Sequence, residues 1–372
     1  MVVGEAQKLT PGLPGHPLPN GGLPEKADLA LARAGSYRLL ARLFRQELDQ
    51  ELLTFLGANA GFLGEIKLPD EGRHMEWLQT LRVEYARLFV LNVYPFASIY
   101  TGPEVMLNTA QTEQVRKFYS YYDFDNAGLG SHSQANFLPD HLAIELGFMA
   151  NLAETEGRYW QAGNPASALS IALAEQTFLE KHLLTWLPVF GLAVERASRQ
   201  NFYPALVKQS LDFICQDFQY LLEQQSEAEP QAVTAPLEEA EPFFTDFGPA
   251  SPEKEPDSPV SLKQFVSYLI TPAKSGLYLS KIELFRLAHS LQLPVGVTER
   301  FQMLESLLRD AFDYQMVEPL LAALRGVVQA SRLELAKLEQ TYPQNAFIWQ
   351  LWKQRLNRSW EIVDQQFLSN QL

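Results

Sequence analysis

The chain has 372 residues, 47% of them hydrophobic, which is enough for two domains of ordinary size and a substantial core. A single cysteine, Cys215 in the apolar run LDFICQDF, excludes an intrachain disulfide and reads as a buried, inert thiol in a reducing compartment. The net charge of -14 argues against a nonspecific nucleic-acid binder, but ten acidic residues against one lysine between Glu223 and Asp257 put -9 in that stretch and leave -5 elsewhere.

Residues 1 to 26 are dominated by Pro and Gly and read as a flexible tail. They lack both the basic and the continuous apolar region of a signal peptide, and no run of about 18 uncharged apolar residues occurs elsewhere, so a soluble, cytoplasmic protein is expected. Helical spacing begins near Asp28 and carries Tyr37, Leu40, Leu43 and Phe44 with Arg33, Arg38 and Arg42 interspersed. A break is expected between Gly57 and Gly64. Glu76 to Val90 predicts the next helix, with Trp77, Leu81, Tyr85 and Leu88 inward. The following stretch, LNVYPFASIYTGPEVM, is interrupted by Pro95, Gly102 and Pro103, and predicts an ordered aromatic loop. Its rings suit a core or a surface that grips an apolar peptide.

Gly128 to Asn136 reads as a polar loop or hinge in which His132 is solvated. The segment NFLPDHLAIELGFMANLAETEG then predicts the central helix, with Pro139 at its first position and Gly157 just past its end. Apolar residues occupy every side of it, and Ala143, Gly147 and Ala150 form a small-residue strip where another backbone can approach. Three ionisable groups, Asp140, His141 and Glu145, interrupt this apolar run. They read either as a helix cap with a same-face His141–Glu145 pair or as a recognition or hinge site. Ala168–Leu187 and Tyr203–Leu222 are helical, with Pro188 ending the first.

Glu223 to Pro259 is an acidic, Pro-rich linker in which Phe243, Phe244 and Phe247 are out of character. Residues 260–372 are helical again. Ser280 with Glu283 predicts a capping box, Thr298 an N-cap, and Glu318-Pro319 and Asn345 two further helix starts. The fold class is therefore all-α: a helical domain at 27–222, a linker at 223–259 and a smaller helical domain at 260–372.

The stretch EYARLFVLNVYPFASIY followed by LPDHLAIELGFMANLAETEG resembles the TorD family of molybdoenzyme chaperones, which includes the TorD, DmsD and NarJ types. YRLLARLF near Tyr37 and the run FLEKHLLTWLPVFGLAVERASRQNFYPALVKQSLDFI resemble the family's flanking helices, so the similarity spans roughly residues 28–222. The resemblance implies an all-helical, cytoplasmic, non-enzymatic chaperone without a cofactor of its own. Its partner is the leader or N-terminal segment of a molybdopterin-containing oxidoreductase catalytic subunit, often with a twin-arginine signal, which it holds until the cofactor is inserted. The family's peptide-binding positions fall on Tyr94, Pro95, Phe96, Ser98 and Tyr100 in the loop, and on Pro139, Asp140 and His141, with Glu145 following. Leu138 precedes Pro139 where many members have Glu-Pro, and Phe96 stands where some have Trp.

Two other readings compete. A general helical adaptor needs the same aromatic surface without a molybdoenzyme client. A metal-dependent enzyme would use Asp140, His141 and Glu145, although H-x-x-x-E on one helix supplies no third ligand at defined spacing. A helix-turn-helix around Leu293 and Pro294 would need a basic face, and Lys281, Arg286, Arg300 and Arg309 are matched by Glu283, Glu299, Glu305 and Asp310.

Overall fold

The long apolar segment after Pro139 forms a helix of 20 residues, Leu142–Gln161, buried on nearly every side down to Ala153. The computed structural model describes residues 22–58, 66, 68, 70–125, 138–227 and 261–364. The expectations for residues 1–21, for the Gly57–Gly64 break beyond Ala58, for Gly128–Asn136 with His132, and for the linker from 228 onward with Phe243, Phe244 and Phe247 lie outside these residues.

The described helices are α1 Leu23–Arg45, α2 Gln50–Ala58, α3 His74–Tyr85, α4 Ala97–Thr101 and α5 Ala110–Tyr121. The central helix Leu142–Gln161 is α6, followed by α7 Pro165–Phe178, α8 Leu184–Ala197 and α9 Phe202–Glu227. The C-terminal segment contributes α10 Leu262–Ile270, the short α11 Pro272–Ser275, α12 Lys281–Ser290, α13 Arg300–Asp313, α14 Val317–Thr341 and α15 Ala346–Asp364. The fold is all-α, and no strand occurs among the described residues. None of its described helices is long and apolar enough to cross a membrane.

Several boundaries differ from the sequence expectation for identifiable reasons. α1 starts at Leu23, because Gly22 precedes it in extended backbone and Pro24 suits the first turn. The first break falls at Gln46–Asp49, where Asp49 Oδ1 accepts the Leu52 N–H at 2.7 Å and starts α2. Pro188 lies within α8. Glu299, rather than Thr298, flanks the start of α13. Gly157 is inside α6 instead of beyond it. A Cβ there would stand 2.9 Å from Leu31 Cγ and 3.3 Å from the Ala27 carbonyl, so α1 packs tightly against α6 at this glycine. The Ser280–Glu283 capping box and the buried free Cys215 are as expected.

Two compact units emerge. The first comprises Met1–Ala86, Thr112–Leu184 and Gln200–Phe247, counting their described residues, and the second comprises Arg87–Gln111, Thr185–Arg199 and Gly248–Leu372. The aromatic loop and most of α8 thus group with the C-terminal helices. The cause is visible in the second unit: Trp352 Nε1 donates to the Thr185 carbonyl at 3.0 Å, and Arg196 Nε pairs with Glu283 at 2.6 Å. Wide π-type turns at Ala86–Val90 and Leu179–Leu183 sit at two of the places where the chain passes between units.

The first unit holds together around a buried charge cluster. Arg33 from α1 donates to Glu156 of α6 at 2.6 Å and also pairs with Glu175 of α7 and Asp217 of α9. Tyr37 Oη donates to Asp217 at 2.7 Å, and Trp160 Nε1 to Glu156 at 2.8 Å. Burial pulls the Arg33 guanidinium down, but attraction to the three carboxyl groups outweighs this and holds it well above its ordinary value. Burial pushes Glu175 well above the usual carboxylate range despite Arg33, with Glu156 and Asp217 adding to the rise. One cation among three acidic groups leaves a proton on Glu175 as the natural neutralisation.

Candidate functional site

The turn into α6 is built by local hydrogen bonds. His141 N–H donates to the Leu138 carbonyl at 3.0 Å, and the Pro139 carbonyl accepts from Tyr119 Oη at 2.9 Å. Pro139 therefore lies in the turn, three residues before the helix proper. His141 occupies the N-cap in extended backbone (φ -75°, ψ 135°), and its Nδ1 accepts the Ala143 N–H at 3.1 Å. An acceptor at Nδ1 requires an unprotonated nitrogen there. Burial, reinforced by the Arg45 charge, pushes His141 down to about 3, so the imidazole stays neutral and the cap persists.

Glu145, which the spacing matches to His141, meets a second histidine. Its Oε1 lies 2.7 Å from His182 Nε2, and both groups are buried. His141 folds back onto its own helix through the cap, and Glu145 meets the imidazole carried by the π-type turn Leu179–Leu183. The Phe178 ring lies 5.0 Å from His182, and Phe118, Tyr119 and Phe148 surround the same region. Asp140 is fully buried, as are Glu145 and Pro139. Among the described residues no group of three His, Cys, Asp or Glu side chains is placed to hold a metal ion.

The aromatic loop belongs to the second unit. Val93 N–H donates to the Leu88 carbonyl at 2.7 Å, Asn92 Nδ2 to the Arg87 carbonyl at 2.6 Å, and Phe96 enters α4 in extended backbone. Tyr94 and Phe96 are half-buried, whereas Pro95, Ser98 and Tyr100 are buried. The Tyr100 ring stacks on Trp186 at 5.4 Å and on Tyr278 at 5.2 Å. Burial pushes the Tyr100 phenol far up, and the neighbouring Tyr278 adds to it.

Pro139, Asp140, His141 and Glu145 are thus gathered in the first unit, and Tyr94, Pro95, Phe96, Ser98 and Tyr100 in the second. Sequence spacing does not reveal His182 or Tyr278, because each meets its partner from far along the chain. The only local signal for His182 is a histidine inside the apolar run FLEKHLL.

A protein-family model described as "Nitrate reductase delta subunit" matches residues 43–191, which include both groups of candidate residues. "Chaperone protein TorD" of Vibrio cholerae is 31% identical over 210 residues, covering 50% of this chain and 90% of that protein. The chain belongs to the TorD family of chaperone proteins. "Chaperone protein TorD" of a Psychrobacter species is 29% identical over 220 residues, covering 53% of this chain and 95% of that protein. The protein of the same name from Photobacterium profundum is 26% identical over 212 residues, covering 51% and 94%. No solved structure matches. The TorD family match accounts for the central helix and the aromatic loop, and the helices α10–α15 lie outside the family model's range.

Proposed function

We propose that this protein is a non-enzymatic chaperone that acts in the cytoplasm on a molybdopterin-containing oxidoreductase subunit. It binds the leader or N-terminal segment of that subunit and holds it until the cofactor is inserted, before export or assembly. The observation that carries this reading is the similarity to proteins named as TorD chaperones over 90% or more of their own length.

The candidate residues divide the work by exposure. Tyr94 and Phe96, half-buried, offer ring surface to the apolar part of a leader. Asp140 and His141 set the geometry of the turn before α6, and Asp140 supplies the carboxylate for basic leader residues when the turn opens. Calorimetric titration of the full chain with the N-terminal peptide of a molybdopterin oxidoreductase subunit from the same organism tests this. Binding is expected for the wild type, and Asp140→Asn should weaken it by about 1–3 kcal/mol, the range for a charge-assisted contact. Unaltered affinity in a folded Asp140→Asn protein would reduce Asp140 to a helix-capping role.

A further inference from the structure

The C-terminal segment of the second unit sits on the aromatic loop through specific contacts. Tyr278 Oη donates to the Asn92 carbonyl at 2.7 Å and accepts the Tyr94 N–H at 3.4 Å. Its ring stacks on Tyr100, and the Arg300 guanidinium lies 4.2 Å over the same ring. The Tyr278 carbonyl accepts from Arg196 at 3.1 Å, and Arg196 also pairs with Glu283, the residue that closes the cap of α12. α11 lies against α4. From Ala97 to Thr101 no residue is more than 4% exposed.

A phenol hydroxyl bonded to a backbone carbonyl and a backbone N–H of the loop, with an aromatic ring on Tyr100, makes the contacts that an incoming peptide would have to make. The closed arrangement also carries unfavourable terms. Tyr100 Oη and Arg300 Nη2 are buried without a hydrogen-bond partner. Arg300 donates instead to the Leu279 carbonyl at 3.2 Å and has no carboxylate partner among the described residues. Unsatisfied buried donors favour opening, because water or a ligand can then meet them.

We propose that the segment around Tyr278 is a built-in occupant of the aromatic loop, and that a client leader binds there by displacing it. This rests on the loop's assignment as the client surface. The segment lies outside the range of the family model, so the occupant is a device of this longer chain.

Hydrogen exchange of the full-length protein, with and without the leader peptide, tests the proposal alongside titration. Tyr278→Phe keeps the ring and removes both hydroxyl bonds. It should speed exchange at the Tyr94 amide about tenfold and raise leader affinity severalfold, while circular dichroism stays unchanged. In the wild type, saturating leader should speed exchange across Leu277–Ser290. Unchanged Tyr94 protection in folded Tyr278→Phe overturns the occupant itself, and leader binding that leaves Leu277–Ser290 protected overturns the displacement. Faster exchange in Tyr278→Phe with no leader binding by any protein retains the occupant and rejects the loop as the client surface, and with it the competition. Should Tyr278→Phe fail to fold, Arg300→Lys, which loosens the ring from the other contact, carries the same two readouts.

Discussion

The two units bury arginines in opposite ways. In the first, Arg33 meets three carboxyl groups from three other helices. In the second, Arg300 lies on a tyrosine ring and a backbone carbonyl with no acidic partner among the described residues. The first arrangement ties α1, α6, α7 and α9 together through charge, so removing Arg33 leaves buried carboxyl groups uncompensated. The second relies on ring stacking and leaves donors unmet, which suits a surface that must exchange one occupant for another. The first unit should therefore respond strongly to charge and pH, and the Tyr100–Tyr278 stack hardly at all, since burial keeps both phenols neutral.

The largest expected effect is at Arg33. Arg33→Met strands three buried acidic groups and should destabilise the protein by about 3–5 kcal/mol or prevent folding, read by urea denaturation. A loss below about 1 kcal/mol would mean that the cluster is not what joins these helices.

Gly276 gives the matching test in the second unit. Its φ of +74° is the left-handed region, and a Cβ would stand 3.0 Å from Leu356 Cγ and 3.1 Å from the Leu356 nitrogen. Gly276→Ala should cost about 1–2 kcal/mol for the backbone and a similar amount for crowding. The loss should appear as a lowered thermal midpoint together with faster exchange in α11 and α15.

A smaller effect separates two pH dependences within the first unit. Glu175 keeps its proton in the folded protein, whereas in the unfolded chain it loses it near 4.5. Its contribution is full below that pH and is lost as the pH rises toward the folded value. Glu175→Gln should flatten the decline in unfolding free energy between pH 5 and 8, and an unchanged slope would contradict a protonated Glu175. His141 acts in the opposite direction. The folded protein keeps it neutral down to about 3, while the unfolded chain takes up a proton near 6.5. Its stabilisation is present above pH 6.5 and is lost as the pH falls. His141→Ala should cost about 1 kcal/mol at pH 7 through the lost cap and should remove part of the acid-side slope. Equal acid slopes in both proteins would show that His141 is not the group responsible.

Much of this was legible in the sequence because it is local. The apolar spacing around Leu142–Ala153 marks a buried central helix, and Ser280 with Glu283 marks a helix start. The motifs at Tyr94–Tyr100 and Pro139–His141 carry the family resemblance, and the family is shown. What spacing could not encode is the pairing of residues far apart. Arg33 looks like one of several solvent-facing arginines on α1 until Asp217, 184 residues later, meets it. Glu145 is matched to His141 at four residues by spacing, and spacing gives no sign of its contact with His182, 37 residues on. Gly157 resembles a helix stop, yet the approach of Leu31 explains it better. Spacing likewise gives no sign that the ring of Tyr100 stacks on Tyr278 within the second unit.

Under the proposed function, the protein holds an immature client and lets it go once the cofactor is in place. Co-purification tests this: the full chain is mixed with a molybdopterin oxidoreductase subunit from the same organism, prepared cofactor-free and cofactor-loaded, each with and without its N-terminal segment. The account predicts a stable complex with the cofactor-free subunit that depends on the N-terminal segment and is largely lost on cofactor loading. Equal capture of all four forms, or capture of none by folded protein, would contradict it.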